Sequence, residues 1–388
     1  MAPPLFSMES SSFLASPVLT KCIQNFKILV GVINNTHSKG LLKNMNHNCS
    51  KKYDLLALGE VLLKLAAPEN DRLVRGDIFK KQAGGAELNV ISGSSLLGLN
   101  TGIVSKIPAN DIGTFVRNEA AFLGVNDEFL VHDHNPDSRL GIYYYENGAY
   151  PRKPNVVYDR RHSTINKISL EDFPDYIYES TRCFHTSGIT LALSSQTRKT
   201  AIEMIKRFKE HDTLISFDVN FRSNLWTGAE AKECIEEILP YVDIFFCSED
   251  TARLTFLKEG NVKDMIKSFT EDYPISVVAA TQRIVHSPKS HTFGSIVYNA
   301  KNDTYYQEKP YANIEVVDRI GSGDAYISGA LYGLLSSDMD CQRAMEFGNA
   351  TASVKNTIPG DLLSTSLKEI EQIIKAHQSN GPQSEMNR

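Results

Sequence analysis

From Tyr53 onward, short apolar segments typical of strands alternate with longer amphipathic segments typical of helices. Such alternation forms a largely parallel sheet covered by helices on both faces, because each helix carries the chain back to the edge where the next strand begins. We therefore predict an α/β fold with three layers, α/β/α. The predicted strands are Leu55–Leu58, Gly102–Ser105, Cys183–Thr186, Leu214–Val219, Asp243–Phe246, Ile275–Ala279 and Ser295–Tyr298. The predicted helices are Ala86–Leu97, Ile112–Phe122, Ser195–Lys209, Ala229–Leu239, Val262–Thr270, Ala325–Leu335, Gln342–Val354 and Leu367–Ala376.

The predicted domain spans residues 53–376 and contains no internal repeat or low-complexity linker. Residues 1–52 contain six Lys and a single acid, Glu9, and they are rich in Ser and Asn. This composition indicates either an organelle-targeting segment, although the absence of Arg argues against it, or a disordered extension of a cytoplasmic protein. The polar residues 377–388 are predicted to form a disordered tail.

Composition argues against several functional classes. The net charge of −5 gives no reason to expect nucleic acid as a partner. The six cysteines form no Cys-x-x-Cys pair and have no histidine at zinc-finger spacing, so they are interpreted as free thiols in a reducing compartment. The longest apolar run near the start, Ile28–Val32, is too short to cross a membrane.

Residues 139–164 interrupt the alternation, because they contain five Tyr and four Arg. Two extended runs, Gly141–Tyr145 and Asn155–Tyr158, flank a turn that contains Gly and Pro. This pattern predicts a β-hairpin that projects from the sheet. The hairpin is interpreted either as a lid over an active site or as an ordinary edge hairpin.

Small residues at Gly321, Ser322 and Gly323 directly precede an apolar helix. A turn of this kind exposes backbone N–H groups at the positive end of the helix, which together form an anion-binding site. Asp324 falls in the first turn, where its carboxylate can accept the proton of an attacking hydroxyl. Taken alone, the segment is equally consistent with an ordinary loop that has an acidic helix cap.

A second glycine segment, Ala83–Asn89, precedes another predicted helix. The paired glycines Gly84 and Gly85 allow the backbone to approach a ligand closely, and Glu87 and Asn89 supply polar groups. The alternative interpretation is a glycine turn with polar caps.

The two glycine segments together resemble the two signature regions of the ribokinase / phosphofructokinase B carbohydrate-kinase family. The resemblance covers residues 53–376 and is most specific to the branch of 2-keto-3-deoxygluconate kinases. The stretches that carry it are GGAELNV at 84–90, GIYYYENG at 141–148, VYDRRHS at 157–163, HTSGITLALS at 185–194, DVNFRSNLW at 218–226, TQRIVHS at 281–287, DRIGSGDAY at 318–326 and NTIPGD at 356–361.

The resemblance implies a ribokinase-like three-layer sandwich with a small β lid, with ATP at the carboxyl edge of the sheet and Mg²⁺ as cofactor. It implies Asp324 as the catalytic base and the backbone of Gly321–Gly323 as the anion hole. The residues that it assigns to the sugar are Gly85, Ala86, Glu87, Leu88, Asn89, Tyr143, Tyr158, Arg160 and Arg222. Those that it assigns to the nucleotide are Ser248, Thr281, Arg283, Gly321, Gly323 and Asn349, although Asn349 is equally consistent with a satisfied polar residue on a helix.

Two arginines agree with this assignment on physical grounds. A 2-keto sugar acid carries a carboxylate, which Arg160 and Arg222 can bind through charge-assisted hydrogen bonds. A kinase for a neutral sugar has no need of them. The alternative for each is an ordinary surface arginine.

Two departures from the family pattern concern the cations. Many relatives have Asn-x-x-Glu after a middle strand, where this chain has Ser248-Glu249-Asp250-Thr251, so that Glu249 or Asp250 becomes the candidate for organising the metal. The other departure is Arg319-Ile320, where most relatives have small or hydroxyl residues. Asp318 is assigned by analogy to a monovalent-cation site for K⁺.

Three functions remain open at this point. The first is ATP-dependent phosphorylation of 2-keto-3-deoxy-D-gluconate at its terminal hydroxyl, which produces the 6-phosphate. The second is a fructokinase or ribokinase, and the third is a scaffold protein of the same fold with weak or no catalysis. The expected partners are a small sugar acid and ATP, with a homodimer joined through the lid.

Overall fold

The computed structural model describes residues 51–379. Ten strands form the main sheet, in the order β13-β12-β11-β10-β9-β8-β1-β4-β5 with β14 paired to β12. Every pair from β5 to β11 along this order is parallel, and the pairs of β12 are antiparallel. These strands are β1 (Tyr53–Leu58), β4 (Thr101–Pro108), β5 (Leu130–Asp133), β8 (Thr181–Ser187), β9 (Leu214–Asp218), β10 (Ile244–Phe246), β11 (Val277–Ser287), β12 (Ser290–Asn299), β13 (Thr304–Gln307) and β14 (Tyr311–Glu315).

Helices cover both faces of this sheet, as the alternation predicts. They are α1 (Ala86–Leu96), α2 (Asp111–Phe122), α3 (Gly188–Ala192), α4 (Ser195–Glu210), α5 (Gly228–Ile238), α6 (Glu249–Leu254), α7 (Val262–Asp272), α8 (Ser322–Leu335), α9 (Cys341–Asn356) and α10 (Leu367–Gln378). At the start of α5, Thr227 Oγ1 accepts the amide of Glu230, and Glu230 accepts that of Thr227 in return. Such a capping box fixes where a helix begins.

The core consists of two layers, one on each face of the sheet. Successive side chains of a strand point to opposite faces, so Leu55 and Ala57 of β1 enter one layer, and Leu56 and Leu58 enter the other. Helices α1, α8, α9 and α10 contribute to the first layer. Helices α4, α5 and α7 contribute to the second. The predicted three-layer α/β/α sandwich is confirmed.

The predicted hairpin is present, but it is half of a larger element. Strands β6 (Gly141–Glu146) and β7 (Asn155–Asp159) are antiparallel, and they join β2 (Leu62–Ala66) and β3 (Lys80–Gly84) in a separate sheet of order β3-β2-β6-β7. We call this four-stranded sheet the lid. The sequence analysis did not identify β2 and β3. The sequence of β3, KKQAG, has no alternation of apolar and polar residues, so periodicity does not predict a strand there. Its pairing with β2 holds it in the extended conformation.

Residues 1–50 and 380–388 lie outside the described residues, and with them most of the predicted extension and tail. The last helix, α10, includes His377 and Gln378 and therefore ends two residues beyond its predicted end. No helix between residues 51 and 379 combines the length and apolar character needed to cross a membrane.

Candidate active site

A cleft of about 410 Å³ lies at the carboxyl ends of β9, β10 and β11, against the start of α8. Loops that follow parallel strands meet at one edge of a sheet, so residues distant in sequence converge there. Asp324 lies in this cleft together with the glycines that precede it. The predicted site residues that line the cleft are Tyr158, Arg222, Ser248, Thr281, Arg283, Gly321, Ser322, Gly323 and Asp324.

Gly321 makes the anion-binding turn possible. Its φ of 79° lies in the left-handed region, and a Cβ at this position would overlap the backbone oxygen of Asp361. Helix α8 begins immediately afterwards at Ser322, and the first amides of a helix have no intrahelical acceptor. The Ser322 amide donates instead to the carbonyl of Arg319 at 3.2 Å. The Ser322 amide is thus engaged within the turn, and an anion hole formed by the backbone of Gly321–Gly323 stays a prediction.

Asp324 is held by the second glycine segment. The side-chain amide of Asn89 donates to Asp324 Oδ2 at 2.7 Å, although the two residues lie 235 positions apart. Burial raises the pKa of Asp324 to about 7, while the Asn89 hydrogen bond and the charge of Arg222 oppose this shift. Burial also raises the pKa of Asp218 to about 7, with a further contribution from the charge of Asp324. A carboxylate with a pKa near neutrality is well suited to accept a proton.

Gly85 positions α1 for this contact. Its φ of 134° is unfavourable for other residues, and a Cβ would overlap the carbonyl of Glu60. Asn89 is buried, and its Oδ1 atom has no hydrogen-bond partner within the described part of the chain. Asn89 therefore holds Asp324 through its side-chain amide without lining the cleft itself.

None of the predicted sugar-binding residues from Gly85 to Asn89 lines the cleft, and Asn89 contacts the site through its hydrogen bond to Asp324. Leu88 packs in the hydrophobic core. The Glu87 carboxylate is buried and accepts hydrogen bonds from Ser187 Oγ at 2.6 Å and Thr190 Oγ1 at 2.7 Å. Burial raises the pKa of Glu87. The predicted sugar contacts through Leu88 and Glu87 are therefore replaced by structural roles, and Ala86, which is partly exposed, also lies outside the cleft lining.

Three arginines line the cleft without carboxylate partners. Arg222, Arg283 and Arg319 form no ion pair with any residue between 51 and 379, and the Arg222 guanidinium donates only to the carbonyl of Phe221. Burial and the neighbouring charge of Arg319 lower the pKa of Arg283. Like charges held together without counter-ions favour an anionic ligand. The sequence analysis noted Arg319 as a departure but assigned it no role.

Of the three lid residues predicted to contact the sugar, only one lines the cleft. Tyr158 is exposed and lines the cleft, as predicted. Tyr143 is buried and donates a hydrogen bond to Asp361, so it attaches the lid to the body instead of facing the cleft. Arg160 donates through Nε and Nη2 to the carboxylate of buried Glu60. Arg160, predicted to bind the sugar acid, thus has one edge of its guanidinium occupied by Glu60 and does not line the cleft.

The nucleotide and metal assignments are also resolved in part. Ser248, Thr281 and Arg283 line the cleft. Asn349 does not, because it is buried in α9 and bonded to Ser295 and Glu308, each at 2.8 Å. Glu249 lies outside the cleft lining and contacts Arg253 and Gln282, each at 3.3 Å. The predicted roles of Asn349 and Glu249 are therefore corrected.

No group of three or more potential metal ligands exists among residues 51–379. The cleft offers two carboxylates, Asp218 and Asp324, and the hydroxyls of Ser248 and Thr251. Magnesium usually retains several waters and binds through one or two carboxylates together with phosphate oxygens. The donor set therefore suits Mg²⁺ that arrives with ATP.

Asp318 does not fit the predicted potassium site. Its carboxylate accepts hydrogen bonds from the amides of Ile320 at 3.0 Å and Gly360 at 3.1 Å, and from Lys64 Nζ at 3.3 Å. Its backbone oxygen accepts from Lys355 Nζ at 3.2 Å. Both lysines are buried and were missed in the sequence analysis, which expects lysines at the surface.

A larger groove of about 1290 Å³ lies between the lid and the β11–β12 hairpin. It shares Arg319 with the cleft but contains neither Asp324 nor Gly321. Of the two cavities, the smaller cleft brings together the Asp324 carboxylate, the first amides of α8 and arginines without an ion-pair partner among residues 51–379.

Known proteins resemble this chain along most of its length. The family model described as "pfkB family carbohydrate kinase" matches residues 52–366. A 2-dehydro-3-deoxygalactonokinase of Haloferax volcanii is 31% identical over 322 residues, which cover 83% of this chain and 96% of the relative. A 5-dehydro-2-deoxygluconokinase of Listeria monocytogenes is 26% identical over 313 residues, with coverages of 80% and 92%.

Solved structures show the same similarity. The crystal structure of a 2-dehydro-3-deoxygluconokinase from Thermotoga maritima has a TM-score of 0.78 at 31% identity and covers 83% of this chain and 99% of its own. A carbohydrate kinase from Listeria grayi has the same TM-score at 30% identity, with the same coverages. The matched region includes the lid, the cleft and the start of α8.

Proposed function

Because this chain belongs to the pfkB family of carbohydrate kinases, we propose that it phosphorylates 2-keto-3-deoxy-D-gluconate at the terminal hydroxyl, which yields the 6-phosphate. The chain is a sugar kinase with the ribokinase-like α/β fold and lid of this family. The observation that carries the proposal is the cleft, which holds Asp324 at the start of α8 together with arginines that have no ion-pair partner among residues 51–379. The particular sugar acid, MgATP as phosphoryl donor and the roles of individual residues belong to the proposal.

The reaction is an in-line transfer with Asp324 as the base. The terminal hydroxyl of the sugar acid gives its proton to Asp324, and its oxygen forms a bond to the γ-phosphorus of ATP. The bond from this phosphorus to the bridging oxygen then breaks, and ADP leaves. A base in this position contributes about 10²–10⁴ in rate.

Negative charge on the transferred group is stabilised by two features of the cleft. The amides of Gly323 and Asp324, at the positive end of α8, face the anion. Arg283 and Arg319 have no carboxylate partner among the described residues and bind the phosphate oxygens of ATP. Asp218 and the hydroxyls of Ser248 and Thr251 would hold Mg²⁺ bound with ATP, which would neutralise part of the same charge.

The sugar acid is recognised next to Asp324. Arg222 is exposed in the cleft and binds the carboxylate of the substrate, which a neutral sugar lacks. Arg160 contributes less, because Glu60 Oε2 accepts from its Nε and Nη2 atoms and Arg160 does not line the cleft. The side-chain amide of Asn89 orients Asp324 by donating to its Oδ2 atom.

The test is an assay of ADP release by the full chain with ATP and Mg²⁺. The acceptors are 2-keto-3-deoxygluconate, 2-keto-3-deoxygalactonate, gluconate, fructose and ribose. We expect activity on the 2-keto-3-deoxy acids, with 2-keto-3-deoxygluconate preferred, and its loss in Asp324→Asn. A preference for the galactonate epimer would retain the acid-kinase class and overturn the stereochemical assignment.

Two further results would overturn more of the proposal. Activity confined to fructose or ribose would identify a neutral-sugar kinase and remove the argument from Arg222. Absence of activity on every acceptor, in folded protein that binds MgATP, would favour the scaffold interpretation.

A further inference from the structure

A buried lysine lies beneath the anion-binding turn. Lys355, in the last turn of α9, has a relative exposure of 0%. Its Nζ atom donates to the backbone oxygens of Asp318 at 3.2 Å and Ile358 at 3.0 Å. No carboxylate of residues 51–379 forms an ion pair with it. Burying an ammonium group costs free energy, and here hydrogen bonds to two backbone carbonyls offset part of that cost.

The two carbonyls belong to turns that border the catalytic segment. The first turn, 318–321, leads into α8, and the second, 356–361, follows α9. The Asn356 carbonyl accepts from the amides of Val317 at 2.8 Å and Asp318 at 3.2 Å, and the Gly360 amide donates to the Asp318 carboxylate. The position of Gly321, and hence of the amides that follow it, therefore depends on how these turns are joined.

Backbone oxygens that converge from two turns offer the ligands that a potassium ion requires. In this chain Lys355 already donates to two of them. Lys64 Nζ also lies 3.3 Å from the Asp318 carboxylate, so a third positive charge at this place would meet two existing ones. The oxygen acceptors of Asp318 and Ile358 are thus satisfied by ammonium groups of the chain itself.

We propose that the Lys355 ammonium takes the place of a monovalent cation at Asp318, so that phosphoryl transfer by this protein does not depend on potassium. Lys355 is a positioning residue, because it acts through the turn ahead of α8 and does not line the cleft. Its charge also compensates the carboxylates of Asp318 and Asp361. Burial lowers the pKa of Lys355 to about 8, and the charges of Asp318 and Asp361 oppose this shift.

The experiment measures MgATP affinity and thermal unfolding in choline chloride, NaCl and KCl at equal ionic strength. For the unmodified protein, we expect the MgATP Kd to agree within about twofold among the three salts. A Kd that improves more than about fivefold with KCl over choline chloride, or an unfolding temperature raised by KCl specifically, would overturn the proposal.

Two variants of the same position separate the charge from the space that it fills. In Lys355→Ala a cavity opens, and we expect MgATP affinity to fall about tenfold in choline chloride and to recover with KCl or NH₄Cl. In Lys355→Met the side chain fills the space without charge, so we expect the same loss without recovery. The exposed Lys368→Ala is the control for the loss of a lysine elsewhere.

If a variant does not fold, the MgATP Kd of the unmodified protein in the three salts still tests the proposal. MgATP affinity in Lys355→Ala that equals the unmodified value in choline chloride would overturn the positioning role. The inference rests on the proposed function only through ATP. Binding of MgATP without potassium supports it even if every sugar acid fails as a substrate.

Discussion

Basic side chains in the cleft have no ion-pair partner in the described part of the chain, whereas the basic side chain at the junction between the lid and the body, Lys64, is paired with carboxylates. In the cleft, Arg222, Arg283 and Arg319 have no carboxylate partner among residues 51–379. At the junction, Lys64 pairs with Asp361 at 2.7 Å and Asp318 at 3.3 Å. Unpaired charge on an accessible surface is available to a ligand, whereas paired and buried charge is committed to the fold. Pairing, and not residue type, therefore separates the binding region from the structural one.

The junction also connects the two regions. Tyr143 and Lys64 of the lid both bind Asp361, whose backbone oxygen packs against Gly321. Burial alone would lower the pKa of Lys64, but the carboxylates of Asp361 and Asp318 hold this pKa above its ordinary value. The lid is thus attached directly behind the turn that forms the anion site. We expect changes at the junction to affect stability first and changes in the cleft to affect turnover first.

The largest expected effect is the loss of turnover in Asp324→Asn. Removing the base should lower kcat by about 10²–10⁴ while the fold is retained, because the amide has a similar shape and keeps a place beside Asn89. Steady-state kinetics with 2-keto-3-deoxygluconate measure the change, and circular dichroism checks the fold. Turnover within a factor of a few of the original would show that Asp324 is not the base.

At the junction, Lys64→Met should destabilise the protein by roughly 3–5 kcal/mol, because Asp361 and Asp318 lose the cation between them in a buried site. Lys64 has a relative exposure of 1%. Urea unfolding of the full chain gives the free energy, with the exposed Lys368→Met as the matched control. A loss no larger than that of the control would contradict the division between the two regions.

In the cleft, Arg222→Ala should lower kcat/KM for the sugar acid by about 10–100-fold through the loss of a charged hydrogen bond. Stability should change little, because Arg222 is exposed. Arg319→Ala is the comparison within the same cleft, and it should raise the KM for ATP more than that for the sugar acid. If both variants lowered only stability, the unpaired arginines would be structural.

The smallest expected effect is a shift in the pH profile of kcat/KM in the Arg222→Ala variant. Burial raises the pKa of Asp324 to about 7, and the base must be ionised to accept a proton. Below this pKa, kcat/KM should therefore fall about tenfold per pH unit, and above it kcat/KM should level off. Because the charge of Arg222 lowers the pKa of Asp324, Arg222→Ala should move the profile to higher pH. A profile that is flat from pH 5 to 8 would remove Asp324 as the titrating base.

Local patterns account for the parts of the site that could be predicted. Gly321 and Gly85 have positive φ values and lie against backbone oxygens, so few other residues fit there and a glycine stands out in the sequence. Asp324 follows from its place in the first turn of α8, and Arg222 from its place after β9. Each of these arguments needs only neighbours along the chain.

The incorrect assignments depended on partners that lie far away in the sequence. Asn349 has the right type for a nucleotide contact, but Ser295 and Glu308 satisfy it inside the protein. Arg160 has the right type for a carboxylate, but Glu60, 100 positions earlier, takes two of its donors. No local pattern reveals whether a polar group is already satisfied, because hydrogen-bond partners are set by the folding of distant segments.

The sequence by itself determined the alternation of strands and helices and the edge of the sheet where the cleft lies, and it predicted Asp324 at the start of α8 as the base. Periodicity and glycine positions carry this information, because they depend on backbone geometry over a few residues. Only the tertiary structure decided which charged groups remain available. Burying a lysine such as Lys355 or Lys64 requires oxygen partners from separate segments, and these meet only when the chain has folded.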